Sequence, residues 1–106
     1  MKKLEGFQRK HLRGLAHRLK PLVFIGQKGL TTEVLSAAEN ALESHELIKV
    51  KFNDFKEKEE KKGIAVRIGE ETGAENVGMI GHTVIFFRQH EDPEKRKISI
   101  PQRQGG

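Results

Sequence analysis

Apolar positions near the start of the chain recur at helical spacing. Between residues 6 and 20 they fall three to four apart, which predicts an amphipathic helix. Its predicted apolar face comprises Phe7, His11, Leu12, Leu15, Ala16 and Leu19. Pro21 ends this helix, because a proline disfavours the helical conformation in the residue before it. The apolar run 22–25 then predicts a short strand that is buried on both faces.

Two further segments have a helical pattern. A helix over about 32–44 has one apolar face, and Thr31 or Thr32 is placed to cap it by accepting from a free backbone N–H. The highly charged segment 54–63 is predicted to begin a solvated helix, which acquires apolar residues later and ends at Gly73.

The other regular segments are predicted strands. Residues 47–52 alternate between apolar and lysine positions, which is typical of a strand with one buried face. Residues 77–80 and 83–87 are mostly apolar, and Gly81-His82 between them suits a two-residue type II′ hairpin turn. The predicted fold class is therefore α/β (α+β), in the order α-β-α-β-α-β-β, with helices covering one mixed sheet.

Charge is distributed unevenly along this pattern. The 106-residue chain has 20 Lys and Arg residues, 15 Asp and Glu residues, and a formal net charge of +5. Residues 1–30 contain eight bases and one acid, whereas residues 31–91 contain eight bases and twelve acids. A localised positive field attracts polyanions, so RNA, DNA and anionic membranes are the candidate partners on this ground alone.

Composition and motif content argue against several chemistries. The chain has no cysteine, which excludes disulfides and thiolate metal sites and favours a reducing, cytoplasmic location. No apolar run approaches the roughly 20 residues of a membrane span. The five histidines form no HxxxH-type metal pair, and no nucleophile motif or Walker loop is present. We therefore expect no enzyme activity, metal, other cofactor, small-molecule substrate or membrane partner.

A basic stripe lies on the predicted first helix, opposite its apolar face. Its members are spaced four, four and three residues apart and have two further bases beside them: Arg9, Arg13, His17 and Lys20, with Lys10 and Arg18. Almost no acid is interleaved, so a bound polyanion would relieve the repulsion within the stripe. The alternative is a solvated helix face.

A glycine-bounded bend follows the first predicted strand. Gly26-Gln27-Lys28-Gly29 is similar to the GxxG clamp that KH modules place on a nucleic-acid backbone. Glycine lets the backbone approach a phosphate closely, the start of the next helix favours an anion, and Lys28 adds a mobile charge. The alternative is a plain strand-to-helix turn. A second GxxG, residues 78–81, has apolar inner residues and is interpreted as hairpin structure.

Three more bases are candidate nucleic-acid contacts. Lys49 and Lys51 lie on the exposed side of their strand, where they extend the basic surface or protect a sheet edge. Arg88 follows Phe86 and Phe87, and an exposed ring there would stack on a base, although coverage of both rings by helices is the favoured interpretation. Since the chain has no Trp and no Tyr, recognition of RNA shape and backbone is expected.

Four segments together resemble the CRM domain, the chloroplast RNA splicing and ribosome maturation family, and most of all its stand-alone bacterial YhbY-like branch. They are RKHLRGLAHRLKP at 9–21, LVFIGQKGLT at 22–31, HELIKVKF at 45–52 and IGHTVIFFR at 80–88. The resemblance implies a mixed four-stranded sheet flanked by helices, as in the C-terminal domain of translation initiation factor three. It also implies RNA binding and association with precursors of the large ribosomal subunit.

The sequence thus predicts an RNA-binding domain over residues 1–90 and a charged, flexible tail over 91–106, in which Ile98 and Ile100 dock locally. The expected partner is ribosomal RNA of the pre-50S particle, bound by a monomeric assembly factor. Three alternatives stay open: an RNA binder acting on the small subunit or on translation, a DNA binder, and a protein–protein adaptor that docks through the charged helix at 55–72.

Overall fold

Four strands form one mixed sheet in the computed structural model, which describes residues 3–54 and 57–102. The strands are β1 (Val23–Ile25), β2 (Leu47–Phe52), β3 (Glu75–Ile80) and β4 (Thr83–Phe87), in the spatial order β1-β2-β4-β3. β1 and β2 are parallel, whereas the β2–β4 and β4–β3 pairs are antiparallel. The helices are α1 (Gly6–Ala16), α2 (Thr32–His45) and α3 (Lys58–Thr72), with a short 3-10 turn at Pro93–Lys95. The predicted mixed sheet with three helices is confirmed.

The sheet separates two hydrophobic clusters because side chains alternate between its faces. On one face, buried residues that include Val50, Ile68 and Phe86 pack beneath α2 and α3. On the other face, residues that include Leu12 and Phe87 pack beneath α1. α1 lies over β2, β3 and β4, while β1 at the sheet edge packs mainly against β2 and α2. Part of the α1 face therefore stays open beside β1.

Several element boundaries follow local rules that the sequence already indicated. The Thr31 hydroxyl accepts from the Val34 N–H at 3.2 Å and caps α2. α3 ends at Gly73, whose φ of 74° lies in the left-handed region that favours glycine. α3 begins at Lys58, within the segment 54–63 that was predicted to begin it. Residues 55 and 56 of that segment lie outside the described residues.

The predicted first helix is four residues too long. After α1 ends at Ala16, two backbone N–H groups bond to carbonyls three residues back, which is the geometry of a tightening last turn. The Leu22 N–H already donates to the Lys49 carbonyl at 3.1 Å, so the residues between must carry the chain from the helix to the sheet edge. The basic stripe consequently does not continue as one helical face.

Two predicted burial patterns are also wrong. Of the predicted apolar face of α1, only Leu12 and Ala16 are fully buried. The remaining members are exposed: Phe7, His11, Leu15 and Leu19. The strand β1 was expected to be buried on both faces, but Phe24 is 51% exposed between buried Val23 and Ile25. The reason is tertiary, since α1 covers the other strands and leaves one face of this edge strand open.

The chain after β4 returns alongside α1. The predicted docking of Ile98 and Ile100 is confirmed, because both pack against the cluster beneath α1. The carbonyl of Pro101 accepts from the Gln8 side chain at 3.1 Å, and His11 lies 3.2 Å from the carbonyl of Ser99. The flexibility expected of 91–106 stays a prediction, and residues 103–106 lie outside the described residues.

The buried Glu46 fastens this returning segment. Glu46 follows α2 with a backbone φ of 65°, a conformation that residues other than glycine rarely adopt. Its residue surface is only 1% exposed. Its carboxylate accepts backbone N–H bonds from His90, Lys97 and Ile98 at 2.6, 2.6 and 2.9 Å. Burial opposes ionisation of Glu46, but these three bonds outweigh burial and hold its pKa below the usual 4.5.

Candidate nucleic-acid interface

The uncovered part of the α1 face carries a row of side chains that crosses all four strands. Phe24 of β1 pairs in register with Lys51 of β2, Lys51 with Thr83 of β4, and Thr83 with Ile80 of β3. Lys49 lies two residues away on the same face of β2. We call this surface the open strip: Phe24, Lys49, Lys51, Ile80 and Thr83. It alternates exposed apolar side chains with cationic and hydroxyl groups.

The last turn of α1 borders the open strip and makes a shallow groove of about 300 Å³ with it. The groove is lined by Arg13, His17, Pro21, Lys49, Lys51, Ile80, Thr83 and Ile85. These lining residues include three permanent cations and a histidine but no acid. Because no acid is among the lining residues, these charges make the groove an attractive site for a polyanion.

Two of the predicted basic residues also support the fold. Arg13 donates to the Val77 carbonyl at 3.0 Å, and its aliphatic stem lies against Gly78. A Cβ at Gly78 would come within 2.7 Å of the Arg13 Cδ, so the second GxxG owes this glycine to helix packing. Arg9 donates to the Leu4 carbonyl at 2.7 Å. A guanidinium has five N–H donors, so these bonds still leave both arginines able to contact a phosphate.

The other predicted members of the stripe are exposed around the end of α1. Lys10 lies on the helix, His17 is its C-cap residue, and Arg18 and Lys20 belong to the connection that leads to β1. The Lys49 ammonium donates to the Leu19 carbonyl at 3.0 Å and ties this connection to the open strip. Of the predicted stripe, Arg13 and His17 line the groove, and the bases do not follow one straight helical face.

The glycine bend extends directly from β1. The Gly29 N–H donates to the Gly26 carbonyl at 3.0 Å, which closes the turn and leaves Gln27 and Lys28 exposed at its tip. Gly29 needs to be glycine because its φ is 72°. Gly26 does not: its φ is not positive, and a Cβ there would meet nothing within 4 Å. Nothing in the fold thus explains the first glycine of the motif.

The bend and the open strip meet at one end of the sheet. The Ile25 carbonyl, just before the bend, accepts from the Asn53 N–H at 2.9 Å. The Phe52 N–H donates to the His82 carbonyl of the β3–β4 turn at 2.8 Å. The glycine bend, the end of β2 and this turn are therefore neighbours, with Phe24 two residues before Gly26.

Arg88 lies elsewhere, so the structure does not support its predicted contact with RNA. Its guanidinium reaches Glu39 at 2.5 Å and Glu43 at 3.1 Å, and it donates to the Thr72 carbonyl at 2.8 Å. The Arg88 hydrogen bond lowers the pKa of Glu39, and the Glu39 hydrogen bond in turn raises the pKa of Arg88. The two glutamates already neutralise this base between α2 and α3, at the opposite end of β4 from Thr83.

Sequence patterns did not identify Phe24 and Ile80, which are 51% and 65% exposed. The aromatic residues that the sequence did single out, Phe86 and Phe87, are both fully buried, as the favoured interpretation had it. A four-residue apolar run looks the same in a central strand and in an edge strand. Only the position of β1 at the edge distinguishes them.

The described residues contain neither a candidate metal site nor a candidate membrane span. Within residues 3–54 and 57–102, no group of three or more His, Asp or Glu side chains could hold a metal ion. No helix in that part of the chain is long and apolar enough to cross a membrane.

Comparisons with known proteins match this chain to one family and to a solved structure of similar fold. Residues 4–88 match the CRS1 / YhbY (CRM) domain. A Haemophilus influenzae relative named "RNA-binding protein" is 44% identical over 96 residues, covering 91% of this chain and 93% of the relative. "Probable RNA-binding protein YqeI" of Bacillus subtilis is 32% identical, covering 92% and 99%. The solution structure of the hypothetical protein SAV1595 from Staphylococcus aureus has a TM-score of 0.75 and 32% identity, covering 93% of this chain and all of that one.

Proposed function

The chain belongs to the CRS1 / YhbY (CRM) domain family, and from this premise we propose that it is an RNA-binding protein whose contact surface joins the groove, the open strip and the glycine bend. The observation that carries the proposal is the charge of the groove. Arg13, Lys49 and Lys51 converge there with His17, and no acid lies among the lining residues. The names of the relatives support RNA as the polyanion.

Each part of this surface suits a different feature of an RNA strand. The lysines and Arg13 offer N–H donors to phosphate oxygens, and these contacts give affinity without sequence preference. The exposed bend gives a phosphate access to the backbone, and Lys28 at its tip adds a positive charge. Phosphate binding of this kind positions the strand on the protein.

The finer proposal is that this RNA is ribosomal RNA of the precursor large subunit, and that the protein acts as a monomeric, cytoplasmic assembly factor and not as an enzyme. The CRM resemblance of the sequence supports the large subunit. The small, open groove supports a binding role, because its lining residues include no carboxylate that could act as a general acid or base.

Crosslinking in cells, followed by sequencing of the attached RNA, tests this proposal together with gradient sedimentation. We expect reads from large-subunit RNA and migration with 50S precursors. Migration with 30S particles would instead indicate a small-subunit or translational role. Partner proteins that survive nuclease digestion, without enriched RNA, would indicate an adaptor and overturn the proposal.

A further inference from the structure

We infer that the open strip binds an unpaired nucleotide, with the Phe24 ring stacked on its base while Lys51 and the glycine bend hold the adjoining backbone. This inference rests on the proposed function and deepens it. It names single-stranded RNA as the class of ligand that the site selects.

Phe24 is unusual among the phenylalanines of the sheet. Phe52, Phe86 and Phe87 are at most 3% exposed, whereas Phe24 is 51% exposed in the middle of a regular strand. A side chain in a strand stands roughly perpendicular to the sheet. The ring is therefore presented from a regular strand and not from a loop.

The neighbours of Phe24 indicate what the ring contacts. Lys51 is its partner in register, and Thr83 is the partner of Lys51, so a positive charge and a hydroxyl lie beside the aromatic surface. An apolar protein segment would leave Lys51 without a partner, whereas a nucleotide supplies both a flat apolar base and an anionic phosphate. Aromatic rings combined with a cationic groove are the usual means of holding single strands.

The distances along β1 allow one nucleotide to reach both features. Gly26 follows Phe24 by two residues, or about 7 Å at the rise of a β-strand. A base on Phe24 and a phosphate at the bend can thus belong to the same or to adjacent nucleotides. In a duplex the base faces are covered by stacking, so a paired strand offers phosphates to this site but no base to Phe24.

Equilibrium binding of a labelled 12-nucleotide single-stranded RNA, and of the same strand annealed to its complement, tests the inference. For the single strand we expect Phe24→Ala to weaken binding roughly 5- to 100-fold, the usual cost of losing one aromatic stacking partner. For the duplex we expect no change. Phe24→Trp should restore the affinity, and Phe24→Leu, which keeps an apolar group without a ring, should not.

Phe7→Ala is the matched control, because it removes another exposed ring, 38% exposed, from the first turn of α1 outside the strip. It should leave both affinities unchanged, and thermal melting verifies that each variant is folded. The inference would be overturned if Phe24→Ala lost affinity equally for both RNAs or for neither, or if Phe24→Leu bound the single strand with full affinity. Each of these results would leave RNA binding itself intact. If the unmodified protein bound neither RNA, the proposed function itself would fail.

Discussion

The two faces of the sheet share four strands but differ in how completely helices cover them. On the α2/α3 face, Val23, Ile25 and Phe86 are shielded from solvent by two helices. On the α1 face one helix covers three strands, and the fourth presents Phe24 to solvent. The first face has the composition of a hydrophobic core. The second combines a core beneath α1 with a cationic, partly apolar surface that α1 does not cover.

Charge follows the same division. Between α2 and α3, Arg88 is neutralised by Glu39 and Glu43. Around the groove, Lys49 and Lys51 have no acid beside them among the lining residues. A protein that needed these lysines only for solubility would gain by interleaving acids, since opposite charges on neighbouring strands stabilise a sheet. The difference supports the proposal that the α1 face binds a partner, whereas the α2/α3 face serves stability.

The largest expected effect is on the free energy of unfolding, which should respond differently to substitutions on the two faces of the sheet. Phe86→Ala should lower the free energy of unfolding by about 3–5 kcal/mol, because it leaves a cavity in the closed core. Phe24→Ala should cost about 1 kcal/mol or less, because half of the ring is already in water. Urea denaturation measures both values. A cost for Phe24→Ala close to that of Phe86→Ala would show that the open strip is part of the core.

Acid should loosen the segment that covers the cluster beneath α1. The pKa of Glu46 is lower in the fold than in the unfolded chain, so its ionised form stabilises the fold above about pH 4.5. That contribution is lost as the pH falls through the lower folded pKa. The protection factors, corrected for the intrinsic pH dependence of hydrogen exchange, should fall first at the amides of Lys97 and Ile98.

Glu46→Gln is the control for this acid effect, because it removes the ionisable group and keeps the side-chain length. It should exchange faster at the same two amides at neutral pH and lose the pH dependence. An unchanged acid response in this variant would assign the transition to other groups, such as Glu39, whose pKa is also lowered.

Reversing charges beside the groove should affect binding and not stability. Lys20→Glu combined with Lys51→Glu should weaken RNA binding about tenfold or more, and should reduce the slope of log K against log salt by roughly one to two. Both side chains are exposed, so unfolding should change little. Arg13 is a poorer choice, since its bond to the Val77 carbonyl supports β3.

Arg88→Ala is the opposite control to this pair. It removes a base from the closed side, where Thr72 loses a donor and Glu39 loses its partner. We expect this variant to have a lower free energy of unfolding, while its folded molecules bind RNA with unchanged affinity. A loss of affinity comparable with that of the lysine pair would contradict the assignment of binding to the α1 face.

The smallest expected effect separates the two glycines of the bend. Gly29→Ala should cost about 1 kcal/mol of stability, because its φ of 72° strains any side chain. Gly26→Ala should leave stability unchanged, because its Cβ would enter open space. It should weaken RNA binding a few-fold if a phosphate approaches the backbone there. Normal RNA affinity of a folded Gly26→Ala variant would reduce the bend to a plain turn.

The sequence predicted those parts of the fold that local rules determine. The bounds of β2, the Thr31 cap and the end of α3 at Gly73 followed from alternation, capping and glycine chemistry. The end of α1 did not, because the chain leaves the helix early so that Leu22 bonds to Lys49 of β2 and the edge strand β1 begins. That requirement depends on the position of β1, which is a tertiary property.

The same limit explains what was missed in the candidate site. The charge pattern predicted the bases of the groove. It did not predict the exposure of Phe24, because an apolar run indicates a buried strand unless that strand is known to lie at the sheet edge. Arg88 looked available until α2 supplied Glu39 and Glu43 from a distant part of the chain. Partners that are far apart in sequence decide both cases, and no periodicity within one segment reports them.

An NMR titration of the folded protein with single-stranded RNA tests the central claim most directly, because each backbone amide reports its own surroundings. We predict that the amide signals of Phe24, Gly26–Gly29, Lys49, Lys51 and Thr83 shift progressively, and that those of the outer faces of α2 and α3 stay in place. Shifts concentrated on α2 and α3, with the open strip and the glycine bend unaffected, would contradict the assignment of RNA binding to the α1 face.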